Sequence, residues 1–482
     1  MKNLYKLVFF LCIIGSLSNC TKEDEVPADV EINDFVWKAM NAYYLYQDKI
    51  PDLSDRRFNS QPELNNYLRG FNTPNDLFSS LVFDRSTTDN LSRLVDDYNK
   101  ITEPPLRSSN TTGIEYGIIA EPGSATNVIG YVLYVLPSSN AANKSIVRGE
   151  FFYAVNNTQL TRTNYRNLLD NTQSFDLHFA NFDGNTLTPN GKIVSLSKTN
   201  YSHQPIFLAK KFTNGSKNIG YLLYNNDFST NYLKELNNTF LQFKNQGVNE
   251  FILDLRYNIG GGSFAKNITQ IGSMITGQFN TKTFLKEKWN GKAQPWFELH
   301  QPDSLLTRFT DKINSTTPIN SLQLTDVYII SNGSSSSLEL LINGLKGYIN
   351  VHLINSTTTS GNNKGAITLY NSIDYDFEGR SKNHTVTVQP IVLEFYNAKD
   401  ETYTNGFAPN LTICTQEDLL NLGKLGETTD PILNKVLNYV SNGTITTPNC
   451  NPTNFEFLFN SVENQKLTDR GIFIKQDLPN TN

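Results

Sequence analysis

Apolar positions recur along this chain with three different periods, and the changes of period divide it. From residue 32 to about 100, Val36, Ala39, Met40 and Tyr43 fall at helical spacing, with Asn33 or Asp34 placed to cap the start. Pro51-Asp52-Leu53-Ser54-Asp55 breaks that pattern, and a second helix is predicted from about Gln61 to Leu68. Trp37, Tyr43, Tyr44 and Tyr46 are expected in the core of this region. After Glu103-Pro104-Pro105 the period shortens to two, as in Gly113-Ile114-Glu115-Tyr116-Gly117-Ile118 and Gly130-Tyr131-Val132-Leu133-Tyr134-Val135. From about residue 206, strands alternate with helices. Ile219–Tyr224 reads as a strand, Tyr232 to Gln246 as a helix, and Phe251–Arg256 as a largely buried strand. A further helix is predicted from Asp430 to Val440. Such alternation predicts an α/β sheet whose site lies at the strand ends.

Two turns in that α/β region carry candidate chemistry. The strand Asp326–Ile330 runs into Ser331-Asn332-Gly333-Ser334-Ser335-Ser336-Ser337, and a helix is predicted from about Leu338 to Leu345. A serine there has its hydroxyl beside the unpaired N–H groups of a helix N-terminus, which favour negative charge and can hold an oxyanion. The same run also suits a plain serine N-cap. Earlier, Tyr257-Asn258-Ile259-Gly260-Gly261-Gly262-Ser263 forms a glycine turn in which backbone can approach a ligand closely. No Gly-Lys-Ser/Thr follows it, which argues against nucleotide binding.

Composition narrows the field. A length of 482 residues implies two to four domains, and 38% apolar residues with 12% aromatics suffice for packed cores. The net charge of −5, without a long basic run, argues against nucleic acid as a partner. Five scattered histidines, with no HExxH and no CxxC, argue against a zinc site, and no cofactor is expected. No paired-carboxylate motif supports carbohydrate chemistry.

The N-terminus has Lys2 and Lys6 ahead of the apolar run Leu7–Gly15, a run of signal-peptide length. Leu17-Ser18-Asn19-Cys20 resembles a bacterial lipoprotein cleavage box, although Asn19 stands where a small residue is usual. Thr21-Lys22-Glu23-Asp24-Glu25 resembles the signal that sends Bacteroidetes lipoproteins to the outer surface. The resemblance implies a lipid on Cys20, attachment to the outer membrane and a surface-exposed place in the cell envelope. Cys12 leaves with the signal, so Cys414 and Cys450 remain as an even pair, and a disulfide between them is expected.

The order of strand, Pro137–Ala142, Val147-Arg148-Gly149-Glu150, then strand and tight turn at Ala154–Thr158, resembles a PDZ module, with Glu150 where Asp is commoner. Such modules bind extended peptide by adding a strand to their sheet. Asp254-Leu255-Arg256-Tyr257-Asn258-x-Gly260-Gly261, the serine turn with Glu339, Leu341–Leu345 and Gly406-Phe407-Ala408-Pro409-Asn410 together resemble the tail-specific (C-terminal-processing) peptidases, family 41 of the serine peptidases. The resemblance covers nearly the whole mature chain. It implies a ClpP/crotonase-like sheet-and-helix core with a serine nucleophile, a lysine general base and polypeptide substrates. The family's Ser-Ala-Ser-Ala-Ser-Glu laid on 334–339 places the nucleophile at Ser336, with Ser335 and Ser337 as fallbacks. The oxyanion donors would be the N–H of Ser337 and of Gly260 or Gly261.

At the lysine the chain departs from the family. The position after Gly361 is Asn362, and Lys364 lies two residues on. In extended backbone, 362 and 364 share a face about 6–7 Å apart. The residue four beyond the expected lysine is Ala366, which offers no hydrogen bond. Two readings stand: an endopeptidase in which Lys364 substitutes as base, or a catalytically inactive homologue that binds peptide at the surface. The expected layout is signal 1–20, tether 21–31, helical region 32–105, PDZ-like module 106–205, peptidase core 206–445 and C-terminal tail 446–482.

Overall fold

The computed structural model describes residues 26–101, 108–225, 228–258, 263–333, 335–414, 418–443, 455–464 and 472–474. The expected signal, the lipidated Cys20, Gly260, Gly261, Ser334 and Cys450 lie outside the described residues.

The N-terminal region is helical, with α1 (Glu31–Tyr43), α2 (Gln61–Leu68) and α3 (Pro74–Ser80). α1 buries Val36, Ala39, Met40 and Tyr43, the stripe that its spacing predicts. Its start differs from expectation. The N-cap is Val30, which has no capping side chain, and Asn33 and Asp34 sit inside the helix. Asn33 donates its amide N–H to the Leu68 carbonyl at 3.1 Å while its Oδ1 stays buried without a hydrogen-bond partner among the described residues, and Asp34 pairs with Lys38 at 2.8 Å. α2 and α3 do carry side-chain caps, from Ser60 and from the Thr73–Asp76 box.

The β-rich module comprises β1 (Ile114–Ala120), β2 (Val128–Val135), β3 (Phe151–Val155), α4 (Tyr165–Asp170), β4 (Ser174–Phe182) and β5 (Leu187–Ser197). The strands form an antiparallel sheet in chain order. Gly117 and Gly130 serve this sheet by having no side chain. A Cβ on them would lie 2.2 Å from the Tyr131 ring and 2.1 Å from the Phe152 ring.

Two sheets build the α/β core. The first uses β6 (Ile206–Asn214), β7 (Lys217–Tyr224), β8 (Glu250–Asp254), β12 (Asp326–Ile330), β13 (Asn350–Asn355) and β16 (Leu411–Thr412), in that order. Pairing is parallel from β7 to β16, and β6 adds an antiparallel edge. α5 (Leu233–Asn245) makes the crossover from β7 to β8. The second sheet runs β9 (Ser263–Phe264), β18 (Ile472–Phe473), β14 (Lys364–Ala366), β15 (Ile391–Asn397), β10 (Thr283–Trp289) and β11 (Leu306–Arg308). α6 (Ala265–Ile275) packs on α7 (Ser336–Lys346), and α7 touches β13 of one sheet and β10 and β15 of the other. Close approach is possible because Gly344 and Gly272 face the Phe284 ring, where a Cβ would come within 2.3 and 2.9 Å.

α8 (Pro431–Asn442) follows the core, and β17 (Phe457–Asn460) and the β18 segment come last. Two described segments of the expected tail pair with the module and the core: β17 lies against β1, and β18 inserts between β9 and β14. The whole is an α/β core with a β-rich module and a helical N-terminal region, the fold class that the sequence predicts.

Candidate active site

β12 lies between two parallel neighbours and delivers the serine turn at its C-terminal end. The turn is braced from β13 by Asn355, which is fully buried. Gly333 N–H donates to Asn355 Oδ1 at 2.9 Å, and Asn355 Nδ2 donates to the Gly333 carbonyl at 2.7 Å. Gly333 sits at a φ of 110°, a conformation that a side chain would strain.

Geometry separates the three serines that the sequence leaves open. Ser335 is the N-cap of α7, its Oγ accepting from the Leu338 N–H at 3.2 Å. Ser337 donates its hydroxyl to Ser263 Oγ at 2.9 Å, at the edge of the glycine turn. Ser336 opens α7, and its side chain meets Asn362: the Asn362 amide donates to Ser336 Oγ at 2.6 Å. All three follow from one helix start. The first residues of a helix point in successive directions about its axis, so only one of a serine run faces a given neighbour.

The loop that carries Asn362 is held by a carboxylate. Glu339, fully buried one turn along α7, accepts from the Gly361 N–H at 2.5 Å, the Asn362 N–H at 3.0 Å and the Ser360 hydroxyl at 3.1 Å. On its far side the loop rests against a second glycine loop. Gly361, at a φ of 81°, approaches the Thr404 carbonyl so closely that a Cβ would lie 2.3 Å from it. The reciprocal bonds Thr359 N–H to Phe407 O and Phe407 N–H to Thr359 Oγ1, 3.1 and 2.8 Å, lock the two together. That explains the Gly406-Phe407 motif in physical terms. Tyr403, buried beside this junction, has its phenol held well above the usual range by burial, with the Glu339 charge adding to it.

Lys364 begins β14, opposite Glu394 of β15. Its Nζ hydrogen-bonds Asn363 Oδ1 at 3.4 Å; among the described residues it makes no hydrogen bond to Ser336 or Asn362. Asn363, between them, turns inward, fully buried, and its amide donates to Thr402 at 2.8 Å. Asn362 and Asn363 precede β14, and Asn362 and Lys364 are partly exposed where Asn363 is buried.

The strand before the glycine turn ends in a buried charge cluster. Arg256 pairs with Asp254 and with Asp430, each at 2.7 Å, and its side chain is 1% exposed. Tyr221 donates to Asp254 at 2.8 Å, and Asp430 also caps α8 through the Ile432 and Leu433 N–H groups. The Asp-Leu-Arg motif therefore anchors the end of β8 to α8. Gly260 and Gly261 lie outside the described residues. The Ser337 N–H belongs to the first turn of α7, whose donors have no acceptor within the helix. Cys414 is disulfide-bonded, and its expected partner, Cys450, is outside the described residues.

Sequence reasoning missed Asn355 and the hold of Glu339 on residues 360–362. Glu339 was visible as part of the serine motif. Nothing local in the sequence signals that Asn355 reaches back 22 residues to brace a turn.

A serine at a strand-to-helix turn, facing a loop that is clamped to the same helix, in a two-sheet α/β core with a β-rich module, defines the serine-peptidase class of fold. The chain matches two family models, the peptidase S41 N-terminal domain over residues 31–93 and peptidase family S41 over residues 218–410. It belongs to the S41 family of serine-type peptidases. Its fold is similar to the crystal structure of an S41 protease from Bacteroides fragilis NCTC 9343, with 21% identity, a TM-score of 0.64, and coverage of 85% of this chain and 97% of that one. Lower scores of 0.43 and 0.40 attach to the photosystem II D1 C-terminal processing protease and mature CPAF. Those are 15% and 10% identical, cover 85% and 87% of this chain and 100% and 99% of theirs, and add nothing to the assignment. No curated protein matches the chain in sequence.

Proposed function

We propose that this chain is a polypeptide-binding member of the S41 family whose serine site has lost its base, displayed on the cell surface through a lipid on Cys20. The observation that carries this reading is the 2.6 Å bond from the Asn362 amide to Ser336 Oγ. A nucleophilic serine must give its proton to a neighbour in the attack. An amide turned either way has no basic lone pair, because its nitrogen is conjugated with the carbonyl. In the geometry present, the amide donates to Oγ, which is the reverse of what a general base does. The Glu339 clamp holds residue 362 beside Ser336, and the reading rests on an amide standing there where the sequence resemblance implies a lysine.

Polypeptide remains the ligand class that this fold accommodates, along strand edges of the β-rich module, which resembles PDZ. The competing reading makes Lys364 the base of a working endopeptidase. Its support is that Lys364 lies two residues after Asn362 and is partly exposed, as Asn362 is.

Incubation of the ectodomain with unfolded β-casein separates the two. The binding reading expects retention of intact casein and no cleavage by wild type. Cleavage by wild type that is lost in Lys364→Ala would establish the endopeptidase instead.

A further inference from the structure

The edge strand of the β-rich module is already occupied. β17 runs antiparallel to β1, with Phe459 opposite Ile118, Asn460 opposite Gly117 and Phe457 opposite Ile119. The Ala120 N–H extends the ladder to the Glu456 carbonyl at 2.9 Å. Some 340 residues separate the two strands along the chain. The Phe459 side chain enters a groove whose one wall is β1 and whose other wall is α4. Its ring lies 5.5 Å from Tyr116 and 5.9 Å from Tyr165, with the Arg166 guanidinium 4.7 Å from its centroid. At one end the groove is closed by hydrogen bonds: the Tyr116 N–H donates to Ser461 Oγ at 2.8 Å, and Ser461 donates to buried Glu115 at 2.6 Å. At the other end Arg162 forks onto Glu456, its closer nitrogen 2.5 Å away. Backbone pairing along an edge, with alternate side chains in pockets, is how an extended peptide is recognised.

From this we infer that residues 455–464 are the protein's own ligand for the β1–α4 groove, and that an external polypeptide enters by displacing them. The inference rests on the polypeptide-binding reading above and specifies its site. The groove takes an extended segment with an aromatic side chain at the place of Phe459 and a small hydroxyl residue two positions later. It takes an internal segment, because this strand continues into further chain and presents no terminal carboxylate.

Two observations fit an exchangeable occupant. Every residue of β17 stays partly exposed, whereas β2, on the other side of β1, is buried along nearly its whole length. The chain also returns at Ile472, which pairs with both Ser263 and Gly365, and Ile474 N–H donates to the Ala366 carbonyl at 3.1 Å. One end of the chain thus spans from the module edge to the strands that flank the serine site.

The test is the binding of a fluorescent peptide of residues 454–464 to the full chain, read by anisotropy. Binding competence is reduced by the fraction of molecules whose groove is filled, so weakening the internal strand must tighten external binding. Wild type is expected to bind weakly. Phe459→Ala is expected to bind at least about ten-fold tighter, and Glu456→Ala a few-fold tighter. Glu456 is well exposed, so its removal leaves the fold intact and decides the matter if Phe459→Ala does not fold. Equal affinity of wild type and the folded variants, or no binding by any of them, overturns the inference. Casein retention reports on the general reading separately. Tightened peptide binding without casein retention would leave the groove assignment standing and remove the broader function.

Discussion

The side-chain amide of Asn362 donates to the hydroxyl oxygen of Ser336 at 2.6 Å, across the gap between the loop after β13 and the first turn of α7. Residue 362 is the position at which the sequence resemblance implies a lysine. Asn362→Lys would therefore put an amine next to Ser336, in a half-buried setting that disfavours its charged form. The expected outcome is casein cleavage at least ten-fold above wild type, measured by release of labelled fragments, and its loss in the double variant with Ser336→Ala.

Glu339 accepts three donors from residues 360–362 and is fully buried. Glu339→Ala would strand two peptide N–H groups and a hydroxyl, each costing about 1–3 kcal/mol when buried without a partner. The expected loss is roughly 3 kcal/mol in urea unfolding. Glu339→Gln should lose less, because one amide oxygen still accepts.

Glu287 on β10 supplies a pH signature. Burial pushes its carboxyl from 4.5 up to about 8, against a weak lowering from the Trp289 indole N–H at 3.4 Å. A raised acid keeps its proton in the folded chain after the unfolded chain has released it. Stability attributable to this group therefore falls as pH rises from 4.5 to about 8 and is level outside that window. Glu287→Gln should flatten the dependence, so that melting temperatures of variant and wild type diverge toward pH 8. The difference there is on the order of a few kcal/mol.

Arg256 is the shared ion-pair partner of Asp254 and Asp430, all three side chains buried. Arg256→Met leaves two buried carboxylates without their cation, which costs roughly 3–5 kcal/mol. Because Asp430 also caps α8, the variant should lose protection in α8 amides first, as read by hydrogen exchange.

Much of this was legible in the sequence for a physical reason: long apolar stripes report the element that they bury. α2 runs from Gln61 to Leu68 as its pattern predicts, and the serine helix starts two residues earlier and ends one later than expected. The departure at Asn362 was also visible as a residue type. Its direction was not, because a hydrogen bond between residues 336 and 362 depends on the Glu339 clamp and on glycine loops that meet only in the fold. Least legible were β17 and β18. Strands of two to four residues carry no periodicity of their own, and their partners lie hundreds of residues away. The cap of α1 failed for a different reason: Asn33 and Asp34 are good capping residues, but the helix starts at Glu31, two residues before Asn33, and both lie on its buried face.

The most direct test of the central claim is labelling of the purified ectodomain with a serine-reactive fluorophosphonate, run on wild type, Ser336→Ala and Lys364→Ala. With an amide as the neighbour of Ser336, wild type should label no more than Ser336→Ala. Strong labelling of wild type, abolished by both Ser336→Ala and Lys364→Ala, would contradict the account and make Lys364 the base of an active peptidase.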